Sequence, residues 1–248
     1  MKFHLFALIF LSVSTAAFAQ ESDTDGPVNP SASNEIIFEH PDRDKGGLFY
    51  LMLGNSSLNM DSLNQRLETA GYSKMNQNFT SIGIGGHALL DRLVIGGEFQ
   101  GLIEKKVSTG SYRTAVSGGY ALVNAGYVMY SKRTLRVYPQ AGVGLGTISL
   151  NINDSSTPSF DQLLINPKRG TSATNSSILL NFALAADGLI AGEGSGSRRV
   201  FVFGFRAGYL WSVSSDGWRN SEGSIGGGPG IGFTGPYLQI VIGGGFLD

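Results

Sequence analysis

The sequence predicts an all-β chain, an eight-stranded antiparallel up-and-down transmembrane β-barrel, on three observations. From Gly47 onward, apolar residues alternate with small or polar ones over eight long stretches. The connections between these stretches alternate short and long. The composition is poor in charge, with 15% Asp, Glu, Lys and Arg, and rich in glycine, with 36 in 248 residues. An ordinary soluble domain carries roughly a quarter charged residues. No segment after the N-terminal one offers the ~18 consecutive apolar residues of a membrane helix. A closed barrel is the other structure whose backbone groups are all satisfied in lipid.

The N-terminal segment reads as a secretory signal peptide over 1–19. Lys2 supplies a positive start, Leu5 to Val13 an apolar run too short to span, and Ala17-Phe18-Ala19 an A-x-A cleavage site before Gln20. Residues 20–46 are rich in Ser, Pro, Asn and Asp and read as a flexible periplasmic lead-in; 47–248 form the barrel. The chain has no cysteine, so no disulfide staples it, and its net charge of −1 gives no case for nucleic acid.

The strand candidates, in order, are 48–58, 79–91, 92–107, 113–131, 135–152, 176–191, 198–213 and 237–248. Most exceed the usual soluble strand of about 5–6 residues and suit a tilted membrane strand of roughly 9–11 with extensions. Short turns fall at Asp91-Arg92, at Ser131 to Thr134 and near 192–197; the longer loops are 59–78, 153–175 and 214–236. Short periplasmic turns opposite long external loops are the habit of outer-membrane barrels, and an even strand number returns both termini to the periplasmic side. Within the first loop, Ser62-x-x-Gln65, the Leu63/Leu67 pair and Gly71 predict a helical turn or two over 62–70, packed on the rim.

The two faces decide which way the barrel turns. In 198–213, Phe201, Phe203, Phe205, Tyr209 and Trp211 share one face, while Val200, Val202, Gly204, Arg206 and Gly208 share the other. Elsewhere Phe99, Phe182 and Phe246 lie on apolar faces whose reverse sides are Gly, Ser, Asn and Gln with about one charge per strand. That reverse face is too poor in charge to be an exterior in water. An eight-stranded barrel is only just wide enough for its own interior side chains, so the bulky apolar face points to lipid. The 11 residues from Phe201 to Trp211 rise roughly 24 Å at ~3.3 Å per residue and ~45° tilt, close to the ~25 Å apolar band of such barrels. The competing reading is a β-sandwich with these aromatic residues in its core.

Glu98, Arg136, Asp187 and Arg206 then fall inside, with His87, Gln100, Gln140 and Asn181. Two acids and two bases form a balanced set. They read as an internal polar network filling the lumen, since an unpaired charge there is costly; the sharper alternative is a hydrated, gated pore. Which acid meets which base is left open. His87 is the one histidine of three that falls in a predicted strand, and one His without Cys supports no metal site; Gly226 to Gly232 lacks the Gly-Lys-Ser/Thr ending of a phosphate loop.

Leader, eight alternating strands and alternating turns and loops resemble the small outer-membrane barrels of the OmpA/OmpX type, over Gly47 to Asp248. The resemblance is architectural. It implies an integral protein of a Gram-negative outer membrane, loops outside and both termini periplasmic. It implies as partners outer-membrane lipid, lipopolysaccharide and the assembly machinery, and a monomer without cofactor. Barrels of the lipid A deacylase family use a His-x-Ser pair, whereas this chain has His87-Ala88-Leu89. The expected role is therefore structural, adhesive or binding, without enzymatic activity. The alternatives are a narrow channel for small solutes and, behind it, a lipid A-modifying enzyme.

Overall fold

The computed structural model describes residues 45–110, 112–132, 134–155, 159–165, 170–191 and 198–248. The predicted leader, and the lead-in up to residue 44, lie outside the described residues. The elements run β1 (Lys45–Ser57), α1 (Asp61–Thr69), β2 (Asn78–Leu90), β3 (Leu93–Thr109), β4 (Tyr112–Tyr127), β5 (Tyr130–Lys132), β6 (Leu135–Asp154), α2 (Phe160–Ile165), β7 (Gly170–Ala191), β8 (Arg198–Asn220), β9 (Gly223–Ile225) and β10 (Gly235–Leu247).

Eight long strands pair antiparallel in the order β10-β1-β2-β3-β4-β6-β7-β8, and β8 pairs with β10 to close the ring. The expected eight-stranded up-and-down barrel is what the chain forms. The seam is full length, from Gly46 opposite Leu247 to Ser56 opposite Tyr237. Closure removes the free edges that an open sheet would present. Strand pairing begins at Lys45, whose backbone exchanges both hydrogen bonds with Asp248 (3.3 and 2.7 Å).

The wall has unequal height. β10, β1 and β2 have 13 residues each, whereas β6, β7 and β8 have 20, 22 and 23. Segments expected as loops, 170–175 and 214–220, are paired strand. They rise beyond the barrel as a projecting sheet edged by β9. Register shifts mark the passage from barrel to projection: between Leu102 and Lys105 the extra residue lies in β3, and opposite Asn175/Ser177 and Ile178/Leu179 of β7 the extra residues lie in β8, where an extra residue bends a strand.

The remaining differences have local causes. The expected strand 113–131 breaks at Val128-Met129, because Val128 turns inward and its N–H bonds Arg92 O (2.8 Å). β5 resumes the pairing on β6. In the Asp91-Arg92 turn Asp91 takes φ 57, a conformation that short polar side chains tolerate. α1 begins at Asp61, so Ser62 sits within the first turn and is not the cap. Gly71 (φ 82) does end the helical segment, its N–H bonding Glu68 O (3.0 Å). α2, unforeseen, occupies the β6–β7 loop.

Through the barrel the eight long strands sort their side chains by parity. Phe99, Phe182, Phe201, Phe203, Phe205, Tyr209, Trp211 and Phe246 all lie exposed on the outer wall. Phe49 is 72% exposed, and Leu51, Ile82, Ile84, Val123 and Leu184 stand beside it on the same surface. The interior is more apolar than the expected lining of Gly, Ser, Asn and Gln. Leu48, Tyr50, Met52, Val200, Val202 and Val241 form one buried cluster near the turn end. Phe79, Leu122, Leu179, Leu210, Trp218 and Phe233 form a second at the loop end, continuous with Leu63 and Leu67 of α1.

Candidate functional site

Between the two apolar clusters lies a polar layer built by alternate residues of neighbouring strands. All eight sequence-predicted interior residues, His87, Glu98, Gln100, Arg136, Gln140, Asn181, Asp187 and Arg206, are buried in the lumen. Arg206 and Glu98 are each 1% exposed. Their ion pair, Nη1 to Oε2 at 3.2 Å, joins β8 to β3. These strands are four steps apart in either direction round the ring (β8-β10-β1-β2-β3 and β8-β7-β6-β4-β3). The arginine therefore reaches across the full diameter. Its guanidinium lies over the Tyr50 ring, 4.4 Å from the centroid, a contact that gains strength away from water. Two glycines, Gly204 and Gly208, flank Arg206 on its own face. Their missing side chains leave the bore free for the long arginine.

Two further contacts cross the bore between other pairs of opposite strands. Gln239 Nε2 of β10 donates to the Tyr120 hydroxyl of β4 (3.3 Å). His87 Nε2 of β2 lies 4.0 Å from Asp187 Oδ2 of β7. Asp187 also accepts the Tyr138 hydroxyl (2.6 Å) and stands opposite Arg136 in the β6–β7 register. Asn181 Nδ2 donates to Asn124 Oδ1 (2.8 Å), and the Tyr237 hydroxyl donates to Asn181 Oδ1 (2.9 Å). Gln100 Nε2 contacts Met52 Sδ (3.2 Å). The space left among Tyr50, His87, Asn124, Gln140 and Arg206 is about 10 Å³, room for one water.

The predicted residues thus meet, with a ring of tyrosines between them. Tyr50, Tyr120, Tyr138 and Tyr237 are all buried and add their hydroxyl groups to the layer. Tyr138 and Tyr237 share parity with Gln140 and Gln239, so parity was the available signal. Among the described residues no three His, Asp or Glu side chains converge as metal ligands.

The loop end is built rather than open. Leu63, Asn64 and Leu67 of α1 are buried, and Asn64 exchanges side-chain bonds with Met75 N and O (2.8 and 3.0 Å). Arg66 Nη1 donates to Gly227 O (2.5 Å), Trp218 Nε1 donates to Pro229 O (2.7 Å), and Asn59 bridges Gly232. Two loops are thereby stitched into a lid whose underside is the second apolar cluster. α2 differs: Phe160, Leu164 and Ile165 are exposed.

No protein-family model and no curated protein matches the chain. Among solved structures the chain is similar to Ail, the attachment invasion locus protein of Yersinia pestis. In complex with the heparin analogue sucrose octasulfate, Ail aligns at TM-score 0.42 and 13% identity over 82% of this chain and 99% of Ail. A second Ail structure aligns at TM-score 0.40 and 14% identity, with the same coverage. The outer membrane protease OmpT from Escherichia coli aligns at TM-score 0.32 and 9% identity, over 84% of this chain and 96% of OmpT.

Proposed function

We propose that the chain is an integral barrel of a Gram-negative outer membrane. In this reading it conducts nothing and turns over no substrate, and acts as a lipid-anchored support for a rigid external binding or adhesive end. The long strands and lid would face outward, and the termini and short turns the periplasm, reached by way of the leader read at 1–19. The belt of exposed Phe, Leu, Ile, Tyr and Trp supports the membrane part, because a soluble monomer rarely exposes more than a few hundred Å² of contiguous apolar surface.

The observation that carries the closed state is the ion pair spanning the bore from Arg206 to Glu98, packed between two apolar layers. An ion crossing this lumen would have to part that pair and pass two dry clusters. The projecting sheet supports a binding role: its inner residues Leu150, Ile152 and Ile225 pack on the loop-end cluster, so its outer surface is held in a fixed form.

The test is refolding of the barrel into phosphatidylcholine vesicles and planar bilayers. Expected are heat-modifiable migration on gels, β-sheet circular dichroism and no stepwise conductance. A folded monomer in plain buffer would refute the membrane reading, and stable openings in the planar bilayer the closed one.

A further inference from the structure

We propose that the turn end of the barrel carries a docking site for anionic phospholipid headgroups, on the sector from β5 to β8. The inference rests on the membrane reading above. Lys132 on β5 and Arg198 and Arg199 at the start of β8 are exposed, and among the described residues no ion pair joins them to an acid. Register puts Arg199 opposite outward-facing Phe246, with Phe201 two residues further along the same face. Lys132 stands opposite Leu135, and Tyr130 opposite Val137. Each of these two cations thus sits one step outside a bulky residue of the apolar belt.

Two residues along a strand at ~3.3 Å each and ~45° tilt amount to roughly 5 Å of height. With the belt in acyl chains, the guanidinium and ammonium groups lie at the depth of the phosphates, and exposed Tyr127, Tyr130 and Met129 fill the interface between. Among the described residues, the other two basic residues of the rim each have an acidic neighbour: strand pairing sets Lys45 beside Asp248, and Arg92 follows Asp91. Arginine holds phosphate oxygens through two parallel N–H groups. A phosphatidylglycerol headgroup offers that phosphate without the competing ammonium of phosphatidylcholine.

The experiment folds the chain into nanodiscs of phosphatidylcholine with a minority of phosphatidylglycerol, then counts retained lipids by native mass spectrometry. The wild type is expected to retain phosphatidylglycerol above its bulk share. The triple variant Lys132→Gln, Arg198→Gln, Arg199→Gln loses that preference by about fivefold per charge removed, and Arg219→Gln at the opposite end leaves it unchanged. Arg199→Gln alone serves should the triple variant fail the heat-modifiability check. Retention in bulk proportion by the wild type, or undiminished preference in the variants, overturns the docking site while leaving the membrane reading intact. Failure of the wild type to enter the nanodiscs overturns both.

Discussion

Replacing Glu98 by Gln isolates the ion pair that crosses the lumen. Glu98 is the carboxylate within 4.0 Å of Arg206 among the described residues, and both side chains are 1% exposed. The substitution keeps the volume and removes the negative charge. Arg206 is left over Tyr50 and beside Met52 Sδ, with a cation–π contact on the order of 2 kcal/mol in a dry site. Breaking one side of a buried pair costs about 3–5 kcal/mol. The double variant Glu98→Gln, Arg206→Met removes the stranded charge as well and should recover most of that loss. Urea titration of reversible folding into phosphatidylcholine vesicles, followed by Trp fluorescence, measures all three proteins. A Glu98→Gln loss below ~1 kcal/mol, the range of solvent-screened pairs, would refute the dry, diametric pairing. So would a double variant no more stable than Glu98→Gln.

Three other outcomes follow from the same geometry. Phe205→Arg, near the middle of the β8 belt, should cost about 2–4 kcal/mol in the same vesicle titration, and Trp211→Arg at its edge ~1 or less; equal costs would contradict the depth assignment. Gly142→Ala puts a Cβ into Asn124 Oδ1, so the Asn181–Asn124 bond must shift, at about 1–3 kcal/mol for overpacking, read from the urea midpoint. The pair Leu63→Ala and Leu67→Ala removes the buried face of α1, at ~2–5 kcal/mol per side chain at most. Proteolysis should then nick residues 59–77 while conductance stays absent, because the polar layer lies beneath.

How far the sequence reveals this molecule varies from strand to strand. β8 is legible because aromatic residues outside alternate with glycine and Arg206 inside. β1 is legible as a strand but not in its facing, because both of its faces are apolar: Phe49, Leu51 and Leu53 outside, Leu48, Tyr50 and Met52 inside. The upper part of β8, Ser214 to Asn220, reads as loop, since a strand standing in water above the belt loses the contrast between its faces. α2 has six residues, too few for a helical period to emerge. For the polar layer, parity alone selected the members. Who meets whom did not follow, because Arg206 and Glu98 are 108 positions apart and meet only through the closure and shear of the whole ring.

The uneven wall has a consequence for approach. With β6, β7 and β8 standing tall and β10, β1 and β2 ending low, α1 sits like the floor of a stage with a raised back and an open front. With the loop end outward, as proposed, a large visitor such as an antibody meets less wall on the low flank than on the tall one. The molecule therefore shows two different faces to its surroundings, and a neighbour's view of it depends on the compass bearing from which it comes.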